Sequence, residues 1–427
     1  MSAIASFSHQ AVKRRRVSPY KRVFLGASLG LTLLGSPNVG RAESKAPEKE
    51  TIRVTAAPGK GLTVDAGKLF SLNLRSRIQL RYQLNVPTPD DQGERDLQQS
   101  VNIGTARLWL SGHILTPKLN YMTQLAVAGR DFRDDTRSPI FDAYLDWKLH
   151  RDFSIRAGQY FVPFDRLRTV REFALQMADR PAPVNEFTLD RDVGITFYSD
   201  TFLGKRSPIA WRLGIFGGGG TNLTTSKEVG GLLVGRLELR PVGPIDDDSE
   251  GDHERRKKPA LAAGVGYALN WNTNRARSTT GATFTGGTTD YEHIAADLVF
   301  KWRGLALQAE HVWRAASTNT IQSTKADGSP LTEYTRSGRG WVVQASYTFD
   351  PPVEIVARLT RSYAAAGTDP ALIKDVSARP YEIGAGLNYY FNDHRLKAQA
   401  DWIARTPLDF DSSKTTHVVH LQIDATF

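Results

Sequence analysis

Phe70-Ser71-Leu72-Asn73-Leu74-Arg75-Ser76-Arg77-Ile78-Gln79-Leu80-Arg81-Tyr82-Gln83-Leu84-Asn85 is the stretch that decides the architecture. Leu72, Leu74, Ile78, Leu80, Tyr82 and Leu84 share one parity. Ser71, Asn73, Arg75, Arg77, Gln79, Arg81 and Gln83 share the other. A helix cannot separate the two sets, whereas a strand sends successive side chains to opposite faces, one apolar and one polar. Outward from this first segment, 69–85, the same period recurs at 103–115, 119–130, 140–149, 153–162, 193–200, 208–217, 231–240, 260–270, 293–302, 304–314, 340–349, 353–362, 381–391, 395–405 and 417–427. Sixteen segments result, each near the roughly 9–11 residues a tilted strand needs to cross a bilayer.

The connections between them alternate in length. Thr116-Pro117-Lys118, Arg151-Asp152, Arg303, Asp350-Pro351-Pro352 and Asn392-Asp393-His394 are tight; 86–102, 163–192, 218–230, 271–292, 315–339, 363–380 and 406–416 are long. Short turns on one side and long loops on the other are the mark of an outer-membrane barrel, with the turns in the periplasm. The expected fold is therefore all-β: a transmembrane antiparallel up-and-down β-barrel of about 16 strands over 69–427, with both ends periplasmic. The connection 241–259 breaks the alternation. The final segment ends on Phe427, an aromatic terminus like the recognition signal of such barrels. A soluble β-sandwich or β-solenoid explains neither the loop alternation nor that aromatic.

Composition agrees. The 427 residues include no cysteine, which excludes a disulfide framework and thiolate chemistry. Beyond residue 34 no run of about 18 apolar residues exists, which excludes a helical membrane protein but not a barrel. The formal charge of +10 misleads, because residues 1–42 hold seven basic residues and no acid. That leaves +3 for the remainder and no argument for nucleic acid. Residues 1–42 read as a signal peptide: a basic stretch, a short apolar run from Val23 to Leu34, and small residues Gly40 and Ala42 before a cleavage site. Residues 43–68 read as a flexible periplasmic lead-in.

Three stretches carry a resemblance. Ala106-Arg107-Leu108-Trp109-Leu110-Ser111-Gly112 is followed by Thr116-Pro117-Lys118-Leu119-Asn120-Tyr121. Phe141-Asp142-Ala143-Tyr144-Leu145-Asp146 is followed by Arg156-Ala157-Gly158-Gln159-Tyr160-Phe161-Val162-Pro163-Phe164, and later by Asp190-Arg191-Asp192-Val193-Gly194-Ile195. The third is Leu387-Asn388-Tyr389-Tyr390-Phe391-Asn392-Asp393-His394-Arg395-Leu396-Lys397. Together they resemble the phosphate-selective porin O/P family over most of 60–427. The resemblance implies a homotrimeric sixteen-stranded barrel in the outer membrane of a Gram-negative bacterium, in contact with its lipid. It also implies arginines and a lysine that guide small anions (phosphate, pyrophosphate, chloride) through a pore. Phe161 stands where the motif usually has lysine, and Asp165 where it usually has glycine.

The residues themselves point the same way. Arg75, Arg77 and Arg81 lie on the polar parity, the face that lines a barrel's water-filled lumen, about 6.6 Å apart per pair of positions. Arg107 shares that parity on the next strand. Guanidinium groups bind oxyanions bidentately and stay charged, and a translocating ion needs several moderate sites rather than one tight one. On lumen parity, fifteen basic residues (Arg130 and Arg156 among them) outnumber nine acids. Loop 163–192, the longest, carries Arg166, Arg168 and Arg171 and is expected to fold inward and narrow the pore. The anion-binding, pore-lining set is thus Arg75, Arg77, Arg81, Arg107, Arg156, Arg166, Arg168 and Arg171.

Other motifs fall away. Gly217 to Gly220 lacks the Lys-Ser/Thr of a phosphate-binding loop and reads as a flexible loop. In the Asp246-Asp247-Asp248-Ser249-Glu250-Gly251 run the twelfth position is Lys257, which excludes a calcium loop; 246–258 reads as a solvated turn. No histidine spacing suggests a metal, no cofactor is expected, and no nucleophile elbow exists. Ser111 and His113 leave a barrel hydrolase as a remote alternative. The expected function is a passive anion-preferring channel rather than an enzyme; a non-selective general diffusion porin and a plugged structural or adhesive barrel are the alternatives.

Overall fold

The alternation at 70–85 has the consequence expected of it. Ile78 and Leu80 are 44% and 50% exposed on the outer face, while Arg77 and Gln79 are 2% exposed inside. The computed structural model describes residues 52–129, 138–204, 207–222, 229–245, 249–350 and 352–427. The 1–42 leader, Arg130 and Asp246 to Asp248 lie outside the described residues.

The chain opens with the short strands β1 (Arg53–Ala57) and β2 (Gly61–Ala66). Then follow β3 (Phe70–Val86), β4 (Gln98–Ile114), β5 (Thr116–Ala126), β6 (Ile140–His150), β7 (Phe153–Phe161), β8 (Arg191–Ser199), β9 (Ile209–Phe216), β10 (Gly231–Val242) and β11 (Ala260–Thr273). The small hairpin β12 (Arg275–Arg277) and β13 (Thr280–Thr283) precedes β14 (Thr289–Trp302) and β15 (Leu305–Ala316). A second, β16 (Thr320–Thr324) and β17 (Pro330–Tyr334), precedes β18 (Gly338–Thr348), β19 (Val353–Ala364), β20 (Tyr381–Asn392), β21 (Leu396–Thr406) and β22 (Thr416–Thr426). Without β1, β2 and the two small hairpins, sixteen antiparallel strands remain. Each pairs with the next, and β22 pairs with β3 from His417↔Val86 to Thr426↔Arg77, which closes the barrel.

The two ends differ as the loop lengths require. Between β14 and β15 the chain turns through Arg303 (φ 50) and Gly304 (φ 92), the left-handed pair of a two-residue hairpin turn whose twist matches its strands. Trp147, Phe153, Trp302, Phe349, Tyr389, Phe391 and Phe427 are exposed near this turn-bearing end, where amphipathic rings sit at a lipid–water boundary. Among the described residues no helix is long and apolar enough to cross a membrane; the crossing is made by strands. Epitope tags inserted at Asp327 and Ala371 should bind antibody on intact cells, and a tag at Asp350 should bind only after permeabilisation. The opposite labelling would invert the topology.

Two expectations need correction. The 43–68 segment is not wholly a flexible lead-in: β1 and β2 form a hairpin, and β2 pairs with β3 from Leu62↔Leu74 to Ala66↔Phe70. Pro58 and Gly59 (φ 70) make its tight turn, closed by Lys60 N–H donating to Ala57 O at 3.0 Å. The connection between β10 and β11 is not a solvated turn either. Ser249, Glu250 and Asp252 are buried, and Lys301 Nζ donates to Ser249 O at 2.7 Å. This turn is long because it folds back into the lumen.

Candidate functional site

The residues after β7 must leave the wall, because Val162, Phe164, Phe187 and Leu189 are fully buried in a cluster with Phe216, Leu232 and Ala268. The loop 163–192 therefore enters the barrel, as expected. Two short helices, α1 (Arg166–Thr169) and α2 (Ala182–Phe187), shape it; Asp165 caps α1 by accepting from Arg168 N at 3.1 Å. Between them the chain crosses the lumen and is held from several strands. Gln176 is its central tie. Its Nε2 donates to Glu354 Oε1 at 2.6 Å, its backbone N to Glu250 Oε2 at 2.8 Å, and its carbonyl accepts from Asn388 Nδ2 at 2.9 Å. Ala178 N donates to Asp401 Oδ2 at 2.6 Å, and Lys397 Nζ donates to Leu175 O at 2.7 Å. Glu250, brought in by the turn before β11, thus joins loop and floor. Buried polar groups of this kind hold position only when each is matched.

The arginines expected to line the pore are brought together, but most meet an acid. Arg77 forms a bidentate pair with Asp424, its Nε 2.7 Å from Oδ1. Arg81 Nη1 donates to Asp179 Oδ1 at 2.8 Å and its Nη2 to Ala178 O at 2.8 Å. Arg107 is 3.5 Å from Glu172 and lies 4.3 Å over the Phe141 ring. Arg156 donates through Nε to Asp146 at 2.9 Å and stacks on Tyr144. Arg166 is 3.7 Å from Glu238, and Arg168 donates to Asp190 at 2.6 Å. Arg171 is 3.7 Å from Asp142 and donates to Gln124 at 3.3 Å. Arg75 has no carboxylate in pairing distance among the described residues; its guanidinium stands 5.7 Å over Trp109. Seven of the eight arginines of the expected pore-lining set thus stand within pairing distance of a carboxylate. A parity census counts the strands' own faces and omits Glu172, Asp179, Asp190 and Glu250, which arrive on the loop and the turn.

Two cavities flank the loop along the β3–β7 wall. One, of about 230 Å³, has Arg81, Arg168, Arg180, Arg191, Phe141 and Phe161 around it, together with Glu172, Asp179 and Asp190. Arg191 sits between the rings of Phe141 and Phe161 at 3.8 and 3.6 Å. The other, of about 370 Å³ at the turn-bearing end, is lined by Arg75, Arg171 and Arg395 with Asp393 as its one carboxylate. Arg395 and Asp393 were not expected there; their only signal was a place in a short turn of the third motif. Gly217 to Gly220 proves structured rather than flexible: Gly218 N donates to Asp192 Oδ2 at 2.6 Å and its carbonyl accepts from Asn270 at 3.0 Å.

At the outer end of the loop, Glu186 on α2 accepts from Arg314 at 2.9 Å and from Arg336 at 2.8 Å, with Arg277 at 3.4 Å. Burial alone would raise this carboxyl, but Arg314, Arg336 and Arg277 outweigh it and hold it below the ordinary glutamate range. Its contribution is complete above the unfolded value near 4.3 and is lost as pH falls through the lower folded value. The thermal midpoint of Glu186→Gln should lie below that of the parent at pH 7, and the gap should narrow between pH 5 and pH 3. A gap that stays constant would show that Glu186 does not titrate in this role.

A closed barrel with an apolar belt, an inward loop and cavities beside that loop is a channel of the outer-membrane porin type. The sequence matches the family described as phosphate-selective porin O and P over residues 72–427, and the chain belongs to that family. No curated protein matches it. Among solved structures it is similar to Salmonella typhi OmpF in complex with daunomycin (15% identity, 84% of this chain, 98% of that one, TM-score 0.53). It is also similar to a loop L8 deletion mutant of Vibrio cholerae OmpT (10% identity, 84% and 99% covered, TM-score 0.52). The trimer form of that OmpT scores 0.50 at 9% identity, with 84% and 100% covered. Family and fold are those of a channel rather than an enzyme.

Proposed function

We propose that this porin passes small anions in preference to cations, phosphate among them, as a homotrimer whose leader is removed after Ala42. The observation that carries the anion preference is the cavity where Arg75, Arg171 and Arg395 face a single carboxylate, Asp393. At an effective dielectric of about 20, a charge roughly 6 Å from an anion contributes about 3 kcal/mol before screening and desolvation reduce it. Arg171 is 3.7 Å from Asp142 and Arg395 is 3.9 Å from Asp393, while Arg75 has no carboxylate partner among the described residues, so the cavity keeps a positive excess that focuses anions there. In this reading Arg75 and Arg171 meet the permeating ion. Arg77, Arg81, Arg107, Arg156, Arg166 and Arg168 position the wall and loop. The family's name and the trimeric form of the OmpT relative support phosphate and the trimer respectively.

The test is reversal potential in a KCl gradient across a planar bilayer, with phosphate or pyrophosphate added. The parent should favour chloride, and phosphate should reduce the chloride current. Arg75→Gln with Arg171→Gln should bring anion-over-cation permeability towards one. Equal permeabilities in the parent would support the non-selective porin instead.

A further inference from the structure

The turn-end cavity is unlike a site made only for a hydrated inorganic ion, because an aromatic and aliphatic wall stands beside its cations. Trp109 projects into it from β4, Phe173 from the inward loop and Met122 from β5. Trp109 and Phe173 meet edge to face with ring centroids 6.1 Å apart. Arg75 lies over the Trp109 face, and Arg171 and Arg395 are its like-charged neighbours. Trp109 is only 4% exposed, yet its indole Nε1–H has no acceptor among the described residues, and neither has Arg75 Nε–H. Two buried donors without acceptors are costly, and both belong to side chains lining the same space. The cavity lies beyond the loop, where Gly59 of the β1–β2 hairpin packs so closely on Arg395 that a Cβ there would meet the Arg395 side chain.

We infer that this vestibule is a binding site for organic anions with a planar apolar body, such as aromatic carboxylates, held by Arg75, Arg171, Trp109 and Phe173. The carboxylate takes the guanidinium and indole N–H donors, and the ring packs on Trp109, Phe173 and Met122. About 370 Å³ falls within the usual range of small-molecule pockets and exceeds the need of a phosphate ion. The inference deepens the anion-channel reading and rests on it for the route by which the anion arrives.

The test separates site from channel. Detergent-solubilised protein is titrated by calorimetry with benzoate, with acetate, and with aniline. Benzoate should bind at least tenfold more tightly than acetate, and aniline should not bind. Trp109→Ala should reduce the benzoate-to-acetate ratio to below threefold, and Phe173→Leu should reduce it in the same direction. Should Trp109→Ala fail to assemble, Phe173→Leu alone decides. A parent ratio near one, or a ratio untouched in the variants that fold, overturns the site. Bilayer conductance on the same samples reads the channel separately: benzoate binding without ion current would sink the porin reading and leave the site standing.

Discussion

Replacing residues 171–180 with a short Gly-Ser linker should raise single-channel conductance several-fold and bring anion-over-cation permeability close to one. That segment holds Gln176, Ala178 and Asp179, whose bonds reach Glu250, Ser346, Glu354, Asn388, Asp401 and Arg81 across the lumen. It is therefore the element that crosses the lumen. Its loss exposes Glu354, Asp401, Arg358 and Lys397 to water, where charges of both signs are solvated rather than stranded. The barrel should still assemble, because its strand-to-strand bonds do not involve the loop. Permeation of sugars too large for the parent, measured by liposome swelling, gives an independent readout. Unchanged conductance in a folded variant would show that the narrowest point lies elsewhere.

The second large effect is on stability. Arg77 and Asp424 are both buried on the lumen side at diagonal positions of the β3–β22 pair, and removing one partner strands the other charge. Such a break costs about 3–5 kcal/mol. Gln79 Nε2 at 3.2 Å remains to support Asp424, so Arg77→Gln is expected towards the lower figure. The double change Arg77→Gln with Asp424→Asn removes both charges and should recover most of the loss. Urea midpoints read from heat-modifiable gel mobility check this as a double-mutant cycle. If the losses of Arg77→Gln and Asp424→Asn, each measured alone, simply add in the double variant, the pair contributes nothing.

These outcomes mark what was legible in the residue order. A period of two names the strand and its faces without any knowledge of the partner strand, so all sixteen segments and the inner position of Arg77, Arg81 and Arg107 followed from parity. The closure of β3 with β22 belonged to the expected up-and-down barrel. Pairing across the lumen did not, because it depends on where a thirty-residue loop lies in space. Asp179 is 98 positions from Arg81, and no local pattern links them. The turn 243–259 shows the same limit: its acids look like those of any solvated turn until Lys301 and Gly304 bind Ser249 O and Asp252. The β1–β2 hairpin was different. Pro58-Gly59 is a turn signal in its own right, and was outweighed by the polar, proline- and glycine-rich composition around it.

That hairpin has a bearing on how the barrel resists coming apart. β22 covers β3 only from Arg77 onward, with Phe427 N–H donating to Ser76 O at 2.8 Å as the last rung. Without β2, residues 70–74 would present bare backbone donors and acceptors at the base of the one seam that joins the two ends of the sequence. Such an edge is a template for strand exchange between molecules. The seam also carries the greatest loop-closure entropy of any strand pair in the molecule, its partners Arg77 and Asp424 being 347 positions apart. β2 reaches β3 across a turn of only a few residues, so it can occupy that edge long before β22 arrives. The hairpin thereby covers the part of β3 that the last strand leaves open, so the base of the seam does not present that edge to a neighbouring chain.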